Sequence, residues 1–405
     1  MEKLAAERYF IKRSRNILMT KAMGGFVLFI VAVICASSLA YAQGISVEAK
    51  ASLLMEVETG KILHENNPHE QLPPASVTKV MTMLLIYEAL AQEKIKWDDM
   101  VTVSAYAASM GGSQIYLEAG EQQTVRDLTK SIVIASANDA AVAMAEFVSG
   151  SEDAFVSAMN KKAASLNMVN TNFVNSCGLD APGHLTTAHD IALMSRELVL
   201  NYPEVFDYAK TRLDKIVHKT ARGEEEFGLT NTNKLIRNYT GATGLKTGST
   251  SQALYCISAT AEKEGMQLIS VILGAPDPGI RFDSAMKLLD FGYANFALIA
   301  KEEAGTPMGE IQIFKGEKEA SPVVIKEQTN MLAPKGKHVV LDSQIIINDA
   351  LTAPVEAGQL AGEVIYTWEG DEVGRSPLIV PDNIGRASAY EMMDRIFKRW
   401  FFAAG

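Results

Sequence analysis

The stretch from Pro73 to Lys79 limits the possible folds more than any other part of this 405-residue chain. Two adjacent prolines end an extended segment, because proline fixes φ and restricts the residue before it. Apolar residues at helical spacing then predict a buried helix over 80–90; they are Val80, Met81, Leu84, Leu85 and Ala89. Ser76 therefore lies near the first turn of that helix.

Lys79 follows Ser76 by three residues, so both side chains lie on one helix face within reach of each other. A serine nucleophile without a neighbouring histidine needs another base, and a desolvated lysine can serve. A single Ser-x-x-Lys motif occurs by chance in many chains of this length, so it identifies no activity alone.

Two further motifs give this pair a context. Ser136-Ala137-Asn138 and Lys246-Thr247-Gly248 follow in that order, and the three motifs together are the signature of penicillin-binding proteins and serine β-lactamases. The chain resembles low-molecular-mass penicillin-binding proteins of the D-alanyl-D-alanine carboxypeptidase family over roughly residues 46–402. The stretches that match include 74–79, 135–140, 177–183 and 244–248.

The resemblance implies an α/β fold of the transpeptidase/β-lactamase-like type, in which helices flank an antiparallel sheet. Local patterns agree with it: a hairpin over 52–65, helices over 125–135 and 140–148, and strands over 252–261 and 266–273. Lys246 immediately precedes those last strands, which predicts an edge strand beside a cleft. We expect a D,D-peptidase domain over 43–298, a small β-sandwich-like domain over 299–383 that serves as a spacer, and a helix over 384–405.

The resemblance also assigns catalytic roles. Ser76 would attack the scissile carbonyl and form an acyl-enzyme, while Lys79, as a neutral amine, would take its proton. Ser136 would relay a proton to the leaving amine. Burial and the nearby charge of Lys246 both favour a neutral Lys79. The sequence implies no cofactor and no metal, because no metal-ligand motif is present.

Five further residues would bind the substrate. Asn138 would hold Lys79 and the substrate amide, and Lys246 and Thr247 would bind the terminal carboxylate. Gly248 would let the substrate lie against the strand. The backbone N–H of Ser249 would form an oxyanion hole with that of the nucleophile. The implied partners are the peptidoglycan stem peptide and, as inhibitors, β-lactam antibiotics.

The first 42 residues have the pattern of a signal peptide. A basic region precedes the uncharged apolar run from Gly24 to Ala36, and Ala40-Tyr41-Ala42 fits a cleavage site. The alternative is an uncleaved membrane anchor, although the run is short for a spanning helix. We expect an exported enzyme at the extracytoplasmic face of the membrane. The net charge of −10 argues against nucleic acid as a partner.

Residues 386–402 predict an amphipathic helix. Its apolar face carries Tyr390, Met393, Ile396, Phe397, Trp400 and Phe401, and its polar face Glu391, Asp394, Arg395, Lys398 and Arg399. Aromatic and basic residues near the end favour a helix that lies in the plane of a membrane. The alternative is a helix that docks on the β domain.

Other functions remain open at this point. A class A β-lactamase needs a deacylating Glu in a loop, and Glu197 matches the Glu-x-x-x-Asn letters, but it falls at the end of an amphipathic helix. A non-catalytic cell-wall-binding protein would tolerate the loss of a motif, yet all three are intact. An accompanying D,D-endopeptidase activity, the oligomeric state and a bridge between Cys177 and Cys256 stay undecided. His184 and His189 receive no role.

Overall fold

The computed structural model of the chain describes residues 45–220, 223–300, 302–328, 330–336 and 340–402. The predicted signal peptide, 1–42, lies outside the described residues. From Val47 onward the described chain forms a single unit.

The first part of the chain mixes helices and strands as expected. A 3₁₀ turn over Ala75–Thr78 leads into the helix that follows the serine. The elements in chain order are β1 (Ala51–Glu56), β2 (Ile62–Asn66), α1 (Lys79–Ala91), β3 (Met100–Thr102), α2 (Ala105–Ala108), β4 (Gln122–Thr124), α3 (Val125–Ala135), α4 (Asn138–Ser149), α5 (Glu152–Ser165), α6 (Ala188–Asn201), α7 (Val205–Ala209), β5 (Leu213–Thr220), β6 (Gly223–Thr230), α8 (Leu235–Asn238), β7 (Ala242–Thr250), β8 (Leu254–Lys263), β9 (Met266–Ala275) and α9 (Pro278–Asn295).

A five-stranded antiparallel sheet organises this part, with the strand order β2-β1-β9-β8-β7. The strands from both ends of the segment thus meet in one sheet, and helices pack against it, which confirms the predicted α/β transpeptidase-like fold. The core of α1 is almost continuous: Val80, Met81, Met83, Leu84 and Ile86 are fully buried. The strand β7 lies at the sheet edge, as predicted for the Lys-Thr-Gly segment.

Two short ladders were not predicted. β3 pairs with β4, and β5 pairs with β6 in an eight-residue hairpin register from Leu213↔Thr230 to Thr220↔Gly223. The β5–β6 strands carry charged residues at six of their sixteen positions, and three of these, Glu224, Glu225 and Glu226, are consecutive. The alternation of apolar residues that identifies a strand in a sequence is therefore weak there.

The second part of the chain is a β domain, as expected. Its elements are β10 (Phe296–Ala300), β11 (Pro307–Phe314), β12 (Ala320–Ile325), β13 (Asn330–Pro334), β14 (Asp342–Ile347), β15 (Leu351–Thr352), β16 (Leu360–Trp368) and β17 (Asp371–Ile379). Six strands form a sheet in the order β14-β16-β17-β12-β11-β15, and β10 pairs with β13. Between β13 and β14, Val340 and Leu341 lie outside any strand.

The last helix, α10 (Ala389–Phe402), is capped at its start and held to the β domain near its middle. Ser388 and Glu391 form a capping box, in which the Ser388 N–H donates to Glu391 Oε2 at 2.7 Å. The Arg395 guanidinium donates to the carbonyls of Gly316 at 2.7 Å and Glu317 at 2.6 Å. No helix among the described residues has the length and hydropathy needed to span a membrane.

Candidate active site

The serine and lysine of the first motif are in direct contact. Ser76 lies in the 3₁₀ turn and is half-buried, whereas Lys79 opens α1 and is fully buried. The Lys79 ammonium nitrogen lies 3.0 Å from Ser76 Oγ. This distance is short enough for direct proton transfer from the hydroxyl to a neutral amine.

Burial tunes Lys79 toward that role. Desolvation disfavours the charged ammonium and lowers the pKa of Lys79 to about 8. Electrostatic interactions with Cys177 and Asp139 oppose part of this shift. Nζ donates to Asn138 Oδ1 at 2.5 Å and to the Cys177 carbonyl at 2.6 Å. A useful fraction of neutral amine is therefore present near neutral pH.

The second motif lies at the junction of two buried helices. α3 ends at Ser136, whose φ of 64° places it in the left-handed region, and α4 begins at Asn138 rather than at the predicted Ala140. The Asn138 side chain is fixed on both sides, because Nδ2 donates to the Gly111 carbonyl at 2.6 Å while Oδ1 accepts from Lys79. The turn thus brings Asn138 into contact with Lys79, and Ser136 is buried two residues before it.

Asp139 holds the facing loop in place, a role that sequence reasoning missed. Its buried carboxylate accepts from the N–H of Ile115 at 3.1 Å and of Leu117 at 3.1 Å. Burial raises the pKa of Asp139, and these backbone donors partly offset that effect. The residue stands next to Asn138 in sequence, but only the fold shows which loop it binds.

The third motif forms the opposite wall of the cleft. Lys246 is buried in β7, and desolvation, followed by the charges of Lys79 and Arg281, lowers its pKa well below the usual value. Thr247 Oγ1 lies 2.8 Å from Thr232 Oγ1. At Gly248 an added Cβ would stand 2.8 Å from the Ser76 nitrogen, so only glycine allows β7 to approach the nucleophile this closely. Ser249 follows on the exposed edge.

The comparisons with known proteins agree with this geometry. Residues 38–277 match the peptidase S11 family, described as D-alanyl-D-alanine carboxypeptidase, and residues 296–386 match the C-terminal domain of penicillin-binding protein 5. The chain belongs to the D-alanyl-D-alanine carboxypeptidase family.

Individual relatives cover most of both chains. The D-alanyl-D-alanine carboxypeptidase DacF of Bacillus subtilis is 40% identical over 87% of this chain and 90% of its own length. DacC of Escherichia coli is 35% identical over 95% of this chain and 98% of its own. The crystal structure of penicillin-binding protein 5 from Haemophilus influenzae has 32% identity and a TM-score of 0.71, and the match covers 85% of this chain and all of that one.

In this carboxypeptidase-family chain, the loop of residues 174–185 packs against the 3₁₀ turn that carries the nucleophile. Gly178 has φ +88°, and a Cβ there would stand 1.9 Å from the Ala75 carbonyl oxygen. The buried His184 accepts from the Val174 N–H at 2.9 Å through Nδ1, so Nε2 carries the proton and donates to Thr78 Oγ1 at 2.8 Å. Burial lowers the pKa of His184 to about 4, which keeps the ring neutral.

Sequence reasoning assigned His184 no role, and nothing in its local pattern indicates one. His189 lies at the start of α6, with Nδ1 3.4 Å from Asp190 Oδ1. Arg281 was also missed: from α9 its Nη1 donates to the carbonyls of Gly248 at 3.1 Å and Cys256 at 3.3 Å. It places a second positive charge behind the Lys-Thr-Gly strand.

Two open alternatives are answered by the structure. Cys177 and Cys256 are both buried free thiols, so no bridge joins them. Glu197 lies within α6, which continues to Asn201, and its carboxylate accepts from Lys162 Nζ at 3.0 Å. The residue that matched the letters of a β-lactamase loop therefore belongs to an ion pair on a helix.

Proposed function

We propose that this chain is a serine-type carboxypeptidase that removes the terminal D-alanine from peptidoglycan stem pentapeptides. The observation that carries the proposal is the buried Lys79 amine, 3.0 Å from Ser76 Oγ, with a pKa of about 8. A hydroxyl beside a lysine of this kind can become a nucleophile without a histidine.

Acylation would follow from the roles assigned to the motifs. Ser76 Oγ attacks the carbonyl of the penultimate residue as its proton passes to Lys79 Nζ. The backbone N–H groups of Ser76 and Ser249 donate to the developing oxyanion. The proton then passes through Ser136 to the leaving amine, and the C–N bond breaks to release D-alanine.

Deacylation restores the enzyme by the same groups. A water attacks the ester carbon and gives its proton to the neutral Lys79 amine. The bond between the ester carbon and Ser76 Oγ then breaks, and Oγ takes back a proton from the Lys79 ammonium. The products are the shortened peptide acid and the free serine hydroxyl, with Lys79 again neutral.

The terminal carboxylate would bind Lys246 and Thr247 on β7. The substrate backbone would lie between the edge of this strand and the side-chain amide of Asn138. Gly248 supports this arrangement. A Cβ at this position would lie 2.8 Å from the Ser76 nitrogen, so a larger residue would push the strand away from the nucleophile. β-Lactams present a strained amide and a carboxylate in a similar way, so they would acylate the same serine.

A labelling experiment tests this assignment. The purified protein is incubated with a β-lactam, and the peptide that contains Ser76 is analysed by mass spectrometry. We expect one adduct on that peptide, loss of the adduct in Ser76→Ala, and its retention in Ser165→Ala, which changes an exposed serine on α5. In parallel, one D-alanine should be released per stem pentapeptide. An adduct that persists in Ser76→Ala would refute the assignment.

We also propose that residues 1–42 direct export and that α10 attaches the mature protein to the membrane surface. Residues 43–298 would then carry catalysis, with 299–383 as the spacer. In support, two aromatic side chains of α10 are largely exposed to solvent: Tyr390 is 82% exposed and Trp400 84%. Arg395 binds the β domain from the polar face. This arrangement leaves the apolar face available to lipid.

Truncation tests the attachment. Removal of the residues from Ala387 onward should release the mature protein from membranes and leave the rate of β-lactam acylation nearly unchanged. A full-length variant with Tyr390→Ser and Trp400→Ser should behave like the truncated protein if the apolar face makes the contact. Membrane-bound truncated protein would show that another segment provides the anchor.

A further inference from the structure

We propose that Asp180 is a specificity-determining residue that selects substrates with a primary ammonium on the residue before D-alanyl-D-alanine. This inference rests on the proposed function, because it uses the direction in which the substrate lies along β7. The exposed Asp180 carboxylate would form an ion pair with the cationic side chain of the substrate.

Asp180 is fixed at the end of the strand that carries the Lys-Thr-Gly motif. Its Oδ1 accepts from Thr250 Oγ1 at 2.6 Å, and its Oδ2 lies 3.5 Å from Ser251 Oγ. The same loop is anchored behind the nucleophile, where Gly178 packs on Ala75. Asp180 therefore links the loop that packs against Ala75 to the C-terminal end of β7.

The carboxylate is available for a charged ligand. Its two partners are neutral hydroxyls, and among the described residues no Lys, Arg or His nitrogen lies within 4.0 Å of it. Asp180 is exposed rather than buried, so a substrate side chain can reach it from solvent. The hydroxyls restrain the carboxylate orientation without neutralising its charge.

The register of the substrate brings its third residue from the end toward this carboxylate. With the terminal carboxylate at Thr247 and the scissile carbonyl at the Ser249 N–H, the peptide runs along β7 in the direction of Thr250. An extended chain advances about 3.3 Å per residue, so the residue before D-alanyl-D-alanine lies level with the end of β7. On this register, a side chain as long as that of lysine brings its ammonium within reach of the Asp180 carboxylate.

Two substrates that differ in one charge test the inference. They are Nα-acetyl-L-lysyl-D-alanyl-D-alanine with a free ε-ammonium and the same peptide acetylated at Nε. We expect the wild-type protein to hydrolyse the free ammonium form with kcat/KM about fivefold higher, the upper range for an ion pair near solvent. Asp180→Asn should abolish the preference, and added salt should reduce it in the wild type.

Two variants separate charge recognition from structural effects. Asp180→Glu keeps the charge and should retain most of the preference, whereas Asp382→Asn makes the same chemical change on the exposed surface of the β domain and should leave it unchanged. Equal loss on both peptides in Asp180→Asn would overturn the inference and assign Asp180 a purely structural role. Absence of D-alanine release from either peptide by the wild type would overturn the proposed function itself.

Discussion

Acylation of Ser76 should accelerate with pH in the range set by Lys79. Only the neutral amine can accept the serine proton, and burial lowers the pKa of Lys79 to about 8. The neutral fraction then rises from about one tenth at pH 7 to about nine tenths at pH 9. The second-order rate constant of β-lactam acylation should therefore rise about tenfold between these pH values and level off above them.

This rate constant is the appropriate quantity, because it reports the pKa of the free enzyme rather than that of a complex. A fluorescent penicillin under pseudo-first-order conditions measures it at a series of pH values, with corrections for spontaneous hydrolysis of the ring. The midpoint should lie near 8, well below the value of about 10.4 for an exposed lysine. A rate that is constant from pH 7 to 9, or that keeps rising with a midpoint above 10, would refute the role of Lys79 as the base.

Three substitutions test other parts of the site. Lys246→Gln should lower kcat/KM about ten- to a hundredfold for a free-acid D-alanyl-D-alanine peptide and much less for its C-terminal amide, because only the acid loses a charge-assisted bond; equal losses would exclude carboxylate recognition. Gly178→Ala should lower Tm far more than Gly183→Ala, since both glycines have positive φ but only the first Cβ would clash, 1.9 Å from the Ala75 oxygen. Because the pKa of His184 is about 4 when folded and about 6.5 when unfolded, the unfolded chain gains a proton first as pH falls, and the contribution of the neutral ring to stability is lost from about pH 6.5 to 4. The Tm difference between wild type and His184→Gln should therefore narrow over that range, and a constant difference would contradict the lowered pKa of His184.

The parts of the site that the sequence could predict are those encoded locally. The Ser76 and Lys79 pair follows from helical spacing, and the edge position of β7 follows from the strands after it. Helix α3 has apolar periodicity and a side-chain cap at Thr124, so its position was predicted closely.

The supports that were missed act across long sequence separations. His184 bonds to Thr78 on another element, and Arg281 reaches the Gly248 carbonyl from α9. Asp139 fixes a loop more than twenty residues earlier. Single histidines, arginines and aspartates carry no periodic signal, because their role depends on which backbone groups the tertiary fold leaves in need of a partner.

On the proposed roles, the two buried lysines would couple substrate binding to activation of the nucleophile. Lys79 and Lys246 both lose solvation, and the charge of Lys79 further lowers the pKa of Lys246, so the site disfavours two cations at once. On these roles, a carboxylate that arrives at Lys246 would stabilise the ammonium there, and the same repulsion would then favour a neutral Lys79. On the proposed roles, a substrate that ends in a carboxylate would therefore produce the base that its own hydrolysis requires, whereas an amidated peptide would bind without this effect. The preference for a free C-terminus would then appear in kcat as well as in KM, because the protonation state of Lys79 governs the chemical step.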